Sequence, residues 1–238
     1  MKSVIADSRL SKAAEMTLAR FGYNLIKLPP SRYLPEGISS HPDSLICKIK
    51  DEIITFADYS DEAAYVFQDV RELHPQIKVS FSSGTPGKSY PDDSKFNALV
   101  MGDKLFARLD SLDELVRRAA EERGLCLINV KQGYPACTTL ALDPSHAITA
   151  DSGMARVLSQ SGIDVCLIET GHILLPPYDY GFIGGAAGVS DGRVYFMGDY
   201  SAHPSAAEIE AATRAAGLRP ISLCDGLLTD LGGLVFLD

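Results

Sequence analysis

The apolar stretch Gly233-Leu234-Val235-Phe236-Leu237 (GLVFL) decides how this fold closes. It reads as a β-strand that is rich in aliphatic and aromatic residues. Four similar stretches earlier in the chain each lead, across a tight turn, into a second strand. For GLVFL, the matching second strand is the N-terminal run Ser3-Val-Ile-Ala-Asp7 (SVIAD), so the two ends of the chain are expected to pair.

The second strand of each pair belongs to a repeat. Five short β-rich runs end in aspartate, and the intervals between successive aspartates are 41 to 52 residues. The runs are SVIAD, IITFAD, LFARLD, AITAD and VYFMGD, which end at Asp7, Asp58, Asp110, Asp151 and Asp199. Because each is followed by a helical pattern, all five aspartates are predicted to be helix N-caps.

A helix and a third strand follow each of these runs. In residues 111–124, for example, Leu112, Leu115, Val116 and Ala119 recur at helical spacing. Four of the five helices stop at a glycine, at Gly22, Gly124, Gly162 and Gly217, which is the usual residue just beyond a helix C-terminus. The unit is therefore strand, turn, strand, helix, strand.

Five such units, the first completed by the last strand, predict a closed ring. The predicted fold class is α/β, a five-bladed β/α propeller in one domain over residues 1–238. Five loops between a third strand and the next first strand are expected at one end of the axis, where binding residues concentrate. These loops cover residues 29–43, 84–96, 131–136, 171–183 and 225–231.

Composition limits the classes of function that this protein can have. The net charge of −9 and a pI of about 5.0 argue against nucleic acid as a partner and are compatible with a cationic small ligand. The chain shows no apolar run of membrane-spanning length and no signal-peptide pattern at its start. Five cysteines without a Cys-x-x-Cys pair indicate neither a disulfide framework nor a thiolate zinc site. A reduced, cytoplasmic protein is expected, and the sequence leaves a homo-oligomer open.

Three motifs, QGYPAC, GFIGGAAG and TDLGGLVFL, together with the repeat, resemble the pentein or guanidino-group-modifying fold. That superfamily includes arginine deiminase, dimethylarginine dimethylaminohydrolase and amidinotransferases, and the chain is most similar to an uncharacterised bacterial branch of it. The repeat resemblance spans the whole chain, whereas the motif resemblance covers about a dozen residues. It implies a hydrolase or transferase that acts on a guanidine- or amidine-like cation through a covalent thiol adduct.

Cys137 is the candidate nucleophile. GYPACTTL is similar to the Gly-Gly-Pro-Arg-Cys-Met-Thr-Met pattern of arginine deiminase, in which the cysteine sits at the head of a first strand. A thiolate would attack the guanidinium carbon. The alternative is a cysteine that acts as a small apolar side chain, and this reading is preferred for Cys47, Cys126, Cys166 and Cys224. A working nucleophile is expected to have a lowered pKa and a structural cysteine to be inert.

His41 and Asp43 resemble the family's His-x-Asp, placed just before a first strand. The resemblance implies that His41 is the general acid and base and that Asp43 holds the substrate. The alternative is a simple turn, because Ser-His-Pro-Asp-Ser has good turn composition.

The order of units agrees with arginine deiminase if the chain is circularly permuted. The Cys137 unit then lies two units after the His41 unit, and the TDLGG unit lies one before it. The Glu and Asp of the family's Glu-Gly-Gly-Asp motif fall on Leu231 and Leu234, so Asp230 is the candidate substitute. In an unpermuted alignment the C-terminal strand would carry the cysteine and does not, which favours a non-catalytic pentein.

Further candidates for holding the substrate are Asp179, Gln132, Glu169 and His172, and His172 is also a rival base to His41. Two carboxylates would suit a guanidinium. Residues 84–96 read as a mobile lid or rim loop.

No cofactor or metal is expected. The SSGTPGKSY stretch lacks the first glycine of a phosphate-binding loop and is followed by Pro91 rather than by a helix. GGAAG lacks dinucleotide-binding spacing, and no ligand cluster with metal-binding spacing is present. The leading function is therefore a cofactor-free, cysteine-dependent hydrolase or transferase. A non-catalytic module that binds a small ligand or a partner is the alternative, and a pure assembly protein is the third reading.

Overall fold

Five three-stranded sheets make up the computed structural model, which describes residues 2–237. In every sheet the middle strand runs antiparallel to the first strand and parallel to the third. The strands are β1 (Lys2–Asp7), β2 (Tyr23–Leu28), β3 (Ile46–Ile49), β4 (Glu52–Phe56), β5 (Lys78–Ser82), β6 (Leu99–Met101), β7 (Lys104–Ala107), β8 (Cys126–Asn129), β9 (Thr139–Ala141), β10 (His146–Thr149), β11 (Asp164–Leu167), β12 (Ala187–Ser190), β13 (Arg193–Phe196), β14 (Arg219–Ser222) and β15 (Val235–Leu237).

Strand pairing confirms the predicted closure. β15 lies antiparallel to β1, with Ser3 opposite Leu237 and Ile5 opposite Val235. The order β15-β1-β2 makes the first unit from both ends of the chain. The α/β propeller of five units is therefore the fold of the described residues, while Met1 and Asp238 of the predicted domain lie outside them.

Seven α-helices are described, five of them after the second strand of a unit. They are α1 (Lys12–Arg20), α2 (Pro42–Leu45), α3 (Ala64–Leu73), α4 (Glu114–Glu122), α5 (Pro135–Thr138), α6 (Ser152–Gln160) and α7 (Ala206–Ala215). In α4, Val116, Ala119 and Ala120 are buried, as expected for an apolar helix face that packs on a sheet. Within residues 2–237, no helix combines the length and apolarity needed to cross a bilayer.

The predicted glycine stops are confirmed. Gly22, Gly124, Gly162 and Gly217 each have φ between 69° and 85°, a left-handed conformation that glycine adopts without steric cost. Each follows the C-cap residue of α1, α4, α6 or α7 and so stands two positions after the last residue of the helix.

The prediction that all five aspartates cap helices is wrong for three of them. Asp151 caps α6 through Met154 N, and Asp199 caps a short 3-10 turn through Ser201 N. In unit one the cap is Ser11, and in unit three it is Asp113, because the helices begin later than the sequence suggested. Asp7, Asp58 and Asp110 instead bond side chains of other residues.

Cys126 also differs from the structural role predicted for it. The third strand lies at one edge of its sheet, and Cys126, the first residue of β8, is exposed rather than packed as a small apolar side chain.

Backbone contacts bring the starts of the first strands together. Asp43 N donates to Gly232 O (3.1 Å), Ala136 N donates to Asn97 Oδ1 (2.8 Å), and Gly185 N donates to Cys137 O (2.9 Å). Leu231 N and Gly233 N both donate to Gly185 O, which connects the segment before β15 to the segment before β12. Residues far apart in sequence therefore meet where the five units converge.

Candidate active site

Cys137 lies on the one-turn helix α5, two residues before β9, rather than in the strand itself. Pro135 occupies the first turn of this helix, a position where its missing N–H costs no hydrogen bond. Gly184 allows the backbone of residues 136–139 to approach closely, since a Cβ there would lie within 2.7 Å of Cys137 O. The thiol is therefore held on rigid backbone, and its residue is 5% exposed.

Asp230 connects the cysteine to the histidine. Its Oδ2 accepts a hydrogen bond from Cys137 Sγ (3.1 Å) and from Phe182 N (2.9 Å), and its Oδ1 accepts from Gly232 N (3.0 Å). Gly181 and Gly185 make room for this carboxylate, because a Cβ on either would overlap Asp230. One carboxylate thus has its two oxygens directed toward two candidate catalytic groups.

His41 lies among three carboxylates. Its Nδ1 is 3.8 Å from Asp230 Oδ1 and 4.0 Å from Asp43 Oδ1, and its Nε2 is 3.9 Å from Asp7 Oδ2. The ring is 1% exposed, and burial together with the charge of Arg9 lowers the pKa of His41 to about 3. Gly232, at φ 72°, packs directly against the His41 side chain. The imidazole is therefore neutral in the free site at neutral pH.

Asp43 follows two residues later in α2. Ser44 Oγ donates to Asp43 Oδ1 (3.1 Å), while Asp43 Oδ2 is buried without a hydrogen-bond partner among the described residues. Burial, and secondly the charge of Asp230, raises the pKa of Asp43 to about 7. Burial also raises the pKa of Asp230 above its usual range. Two neighbouring buried carboxylates are costly to ionise without a cation.

The thiol differs from the expected lowered pKa. Burial raises the pKa of Cys137 well above its ordinary value, and the nearby charges of Asp230 and Asp43 raise it further. The free site therefore holds a protonated thiol.

His41, Asp43 and Cys137 border one cavity of about 550 Å³, and Asp230 lies behind its wall. Asp179 borders the same cavity, as do Lys88, Ser89, Tyr90 and Asp93 from the 84–96 segment. That segment forms part of the cavity wall, as the reading of it as a rim loop requires. The remaining wall residues are mostly apolar or aromatic, namely Pro35, Ile38, Ser44, Tyr134, Leu175, Tyr178, Tyr180 and Phe182.

The structure adds charged residues that sequence reasoning missed. Asp7 and Arg9 lie on the Nε2 side of His41, and the Asp7 side chain is completely buried. Asp93 is 4% exposed, and its Oδ1 has no hydrogen-bond partner among the described residues. Asp7 was one of the five repeated aspartates, but a predicted capping role accounted for it, so no local signal placed it beside His41.

Three predicted substrate residues do not border this cavity. Gln132 donates through Nε2 to Asp151 Oδ2 (2.7 Å) and accepts from Tyr134 N, so it braces its own loop. Glu169 and His172 are exposed and face each other at 3.7 Å. His172 therefore lies outside the set of residues around Cys137, and His41 is the histidine that borders the cavity.

Solved structures similar to this one are guanidino-group enzymes. An amidinotransferase, SxtG of Microseira wollei, is 13% identical with a TM-score of 0.53, over 92% of this chain and 87% of that chain. A mutant of the dimethylarginine dimethylaminohydrolase of Pseudomonas aeruginosa, in complex with citrulline, is 12% identical with a TM-score of 0.59, over 92% and 91%. A mutant agmatine deiminase of C. jejuni with substrate bound is 8% identical with a TM-score of 0.56, over 94% and 87%. At these identities the likeness shows the fold, which is the pentein fold.

The sequence itself matches no curated protein. It does match a family model described as "Family of unknown function (DUF6873)" over residues 5–235. Because that match covers nearly the whole length, the chain belongs to this family.

Proposed function

We propose that this protein is a cysteine-dependent hydrolase or transferase that acts on a C–N bond of a guanidine- or amidine-like small molecule. The observation that carries the proposal is the Asp230 carboxylate, whose oxygens lie 3.1 Å from Cys137 Sγ and 3.8 Å from His41 Nδ1. Cys137, His41 and the neighbouring carboxylate of Asp43 border one cavity, and Asp230 lies behind its wall. A nucleophile, an acid/base group and a cation-binding carboxylate are thus within reach of one bound molecule.

The charge of the cavity suits a cation. Asp43, Asp93 and Asp179 border it and Asp230 lies behind it, whereas Lys88 is its single lysine or arginine among the described wall residues. A planar guanidinium or amidinium can donate hydrogen bonds to two carboxylates at once. Asp43 Oδ2, buried without a partner among residues 2–237, is an acceptor available for such a donor.

Cation binding would also activate the thiol. The charges of Asp230 and Asp43 oppose ionisation of Cys137, and a bound guanidinium neutralises them. The pKa of the thiol therefore falls when the substrate binds. The nucleophile forms only when its target is present.

In the first step, the Cys137 thiol gives its proton to neutral His41, either directly or along Asp230. Sγ then bonds to the central carbon of the guanidinium, and the π electrons of the C=N bond move to nitrogen. The bond from carbon to the leaving nitrogen breaks as that nitrogen takes the proton from His41. Ammonia or an amine departs, and a cationic thiouronium adduct stays on Cys137.

In the second step, water gives a proton to His41 and its oxygen bonds to the same carbon. The C–S bond breaks and its electron pair returns to sulfur, which is then reprotonated by His41. The product is a urea, and the remaining proton leaves as ammonium. In a transferase, an acceptor amine would replace the water.

Alkylation of the native protein tests this proposal. Chloroacetamidine is a cationic electrophile, and iodoacetamide is a neutral one. Each is applied from pH 6 to 9, and the modified cysteines are located by peptide mass mapping. The exposed Cys126 serves as the internal reference. We expect chloroacetamidine to modify Cys137 at least tenfold faster, relative to Cys126, than iodoacetamide does.

Two matched variants sharpen the test. Asp230→Asn should abolish the preference of Cys137 for the cationic reagent, because it removes the carboxylate nearest the thiol. Asp179→Asn, at the exposed mouth, should leave most of the preference intact. Equal treatment of both reagents by Cys137 in the native protein would contradict the proposal.

A non-catalytic binding module is the second candidate function. The raised pKa of the buried Cys137 thiol favours it, because such a thiol is inert unless a ligand activates it. In that case guanidines would raise the melting temperature while chloroacetamidine left Cys137 unmodified. This result would support a cation-binding cavity and would contradict a reaction at Cys137.

A further inference from the structure

Behind His41, on the face away from Cys137, lies an ion pair between a buried aspartate and a partly exposed arginine, whose side chain is 40% exposed. Asp7, at the end of β1, is completely buried, and Arg9 Nε and Nη2 donate to its Oδ1 and Oδ2 at 3.0 and 2.6 Å. Arg9 N also donates to Asp7 Oδ1 (2.7 Å), and Arg9 Nη2 donates to Gly37 O (3.0 Å) in the 29–43 loop. Both charges are therefore fixed.

The pair faces a nitrogen that has no other partner. His41 Nε2 is buried, has no hydrogen-bond partner among the described residues and lies 3.9 Å from Asp7 Oδ2. On the Nδ1 side the ring faces Asp43 and Asp230, and Cys137 lies beyond Asp230. An imidazole surrounded by three carboxylates would ordinarily be held as the cation.

We propose that Asp7 and Arg9 are a positioning pair for His41: Asp7 restrains the ring at Nε2, and the bidentate guanidinium of Arg9 keeps the imidazole in its neutral form. This inference rests on the proposed function, because a neutral imidazole can accept the thiol proton whereas an imidazolium cannot. Arg9 acts through Asp7 and His41 and does not touch the substrate.

The physical argument is a balance of charge. Without Arg9, the carboxylate of Asp7 would face His41 unneutralised in a buried site, where opposite charges attract strongly. With Arg9 bound to both oxygens, Asp7 contributes little net field at the ring. The charge of Arg9 and burial both lower the pKa of His41, which agrees with this balance.

Histidine-selective NMR on the full chain tests the inference without relying on activity. The chain has five histidines, and His41→Asn identifies the resonance of His41. The titration is followed from pH 3 to 9, and in the native protein the ring of His41 should stay neutral down to about pH 4. In Arg9→Gln, which keeps an amide donor near Asp7 but removes the charge, the titration midpoint should rise by about one pH unit or more above the native value near 3. The double variant Asp7→Asn/Arg9→Gln should bring the midpoint back toward the native value.

Two further variants distinguish the effect of the Arg9 charge on His41 from a general disturbance of the structure. Arg9→Lys keeps the charge, so His41 should remain neutral over the same range. Arg193→Met removes an arginine that also pairs with an aspartate two residues away, Asp191, and should change nothing at His41. An unmoved His41 midpoint in a folded Arg9→Gln variant, or an equal shift in Arg9→Lys, would overturn the inference.

Alkylation of Cys137 by chloroacetamidine provides the second readout. At pH 7, Arg9→Gln and the double variant should both be alkylated at about the native rate, because a midpoint about one unit above 3 still leaves His41 neutral at that pH. If native Cys137 is not alkylated, the proposed function fails while the NMR titration still decides the role of the pair.

Discussion

At the residue scale, the central feature is a conflict at two acidic side chains, between their burial beside Cys137 and the cost of ionising them there. Asp43 and Asp230 must be buried to face Cys137, yet burial makes their ionised forms unfavourable. Their raised pKa values mean that the free site stores an unfavourable charge arrangement at neutral pH. A bound cation relieves it, which links stability to ligand binding.

The raised pKa of Asp43 predicts how the free energy of unfolding changes with pH. Its pKa is 3.8 ordinarily and about 7 in the fold, so between these values the unfolded chain loses this proton while the folded chain keeps it. The free energy of unfolding should therefore fall as pH rises from about 4 to 7, relative to Asp43→Asn. The expected difference is a few kcal/mol, since each pKa unit corresponds to about 1.4 kcal/mol.

Urea unfolding of both proteins at pH 4.5, 6 and 8 measures this difference. His41 contributes with the opposite sign, because its lowered pKa costs stability as pH falls below about 6.5, and this contribution is shared by both proteins. Asp179→Asn, which changes an exposed carboxyl, is the control. A difference between the native protein and Asp43→Asn that stays constant with pH would rule out a raised pKa for Asp43.

At the element scale, the turns before the first strands are built on glycines that admit functional side chains. The segment 181–185 carries Gly181, Gly184 and Gly185, and each approaches Asp230 or the backbone around Cys137. The motif GFIGGAAG is part of the family resemblance, but the sequence does not show what its glycines do. The contacts with Asp230 and with the backbone around Cys137 show it. These glycines therefore make space for the Asp230 carboxylate, whereas the glycines of a dinucleotide-binding loop make space for a phosphate.

Gly185→Ala tests this role. The added methyl group would overlap the Asp230 carboxylate, so Asp230 should shift away from Cys137 and the preference for chloroacetamidine should disappear. Overpacking of this kind should cost about 1–3 kcal/mol of stability. Alkylation rates and urea unfolding measure the two effects.

Gly192→Ala is the matched control. Its φ of 69° makes alanine strained, but no atom lies within 4 Å of the added Cβ. It should lose stability by about 1 kcal/mol and leave alkylation of Cys137 unchanged. If Gly185→Ala behaves like this control, the glycine does not serve the site.

At the scale of the whole molecule, the site depends on closure of the ring. Asp230 precedes β15, His41 precedes β3, and Cys137 precedes β9, so three units contribute to it. β15 pairs with β1, and this pairing fixes Asp230 beside residues that are 93 and about 190 positions away in sequence. We therefore expect the site to depend on the order of units around the ring and not on the position of the chain ends.

A circular permutant tests that independence. Residues 238 and 1 are joined by a short Gly/Ser linker, and new ends are opened between Gly102 and Asp103, which are exposed in the turn between β6 and β7. We expect native-like circular dichroism and unchanged alkylation of Cys137. Opening the chain instead between Ile53 and Ile54, buried in the middle strand β4, should prevent folding. Loss of structure in the first permutant would show that the chain ends matter.

The repeat of five units, the closure by β15 and the glycine stops were predictable from the sequence, because strand and helix periodicity and glycine conformation are local properties. The sequence also named Cys137, His41, Asp43 and Asp179, which border the cavity, and Asp230, which lies behind it. Only the tertiary structure brought Asp7 and Arg9 to His41, excluded Gln132, Glu169 and His172 from the cavity, and raised the pKa of the Cys137 thiol. These depend on burial and on charges from distant segments, and neither quantity is contained in the local pattern of the chain.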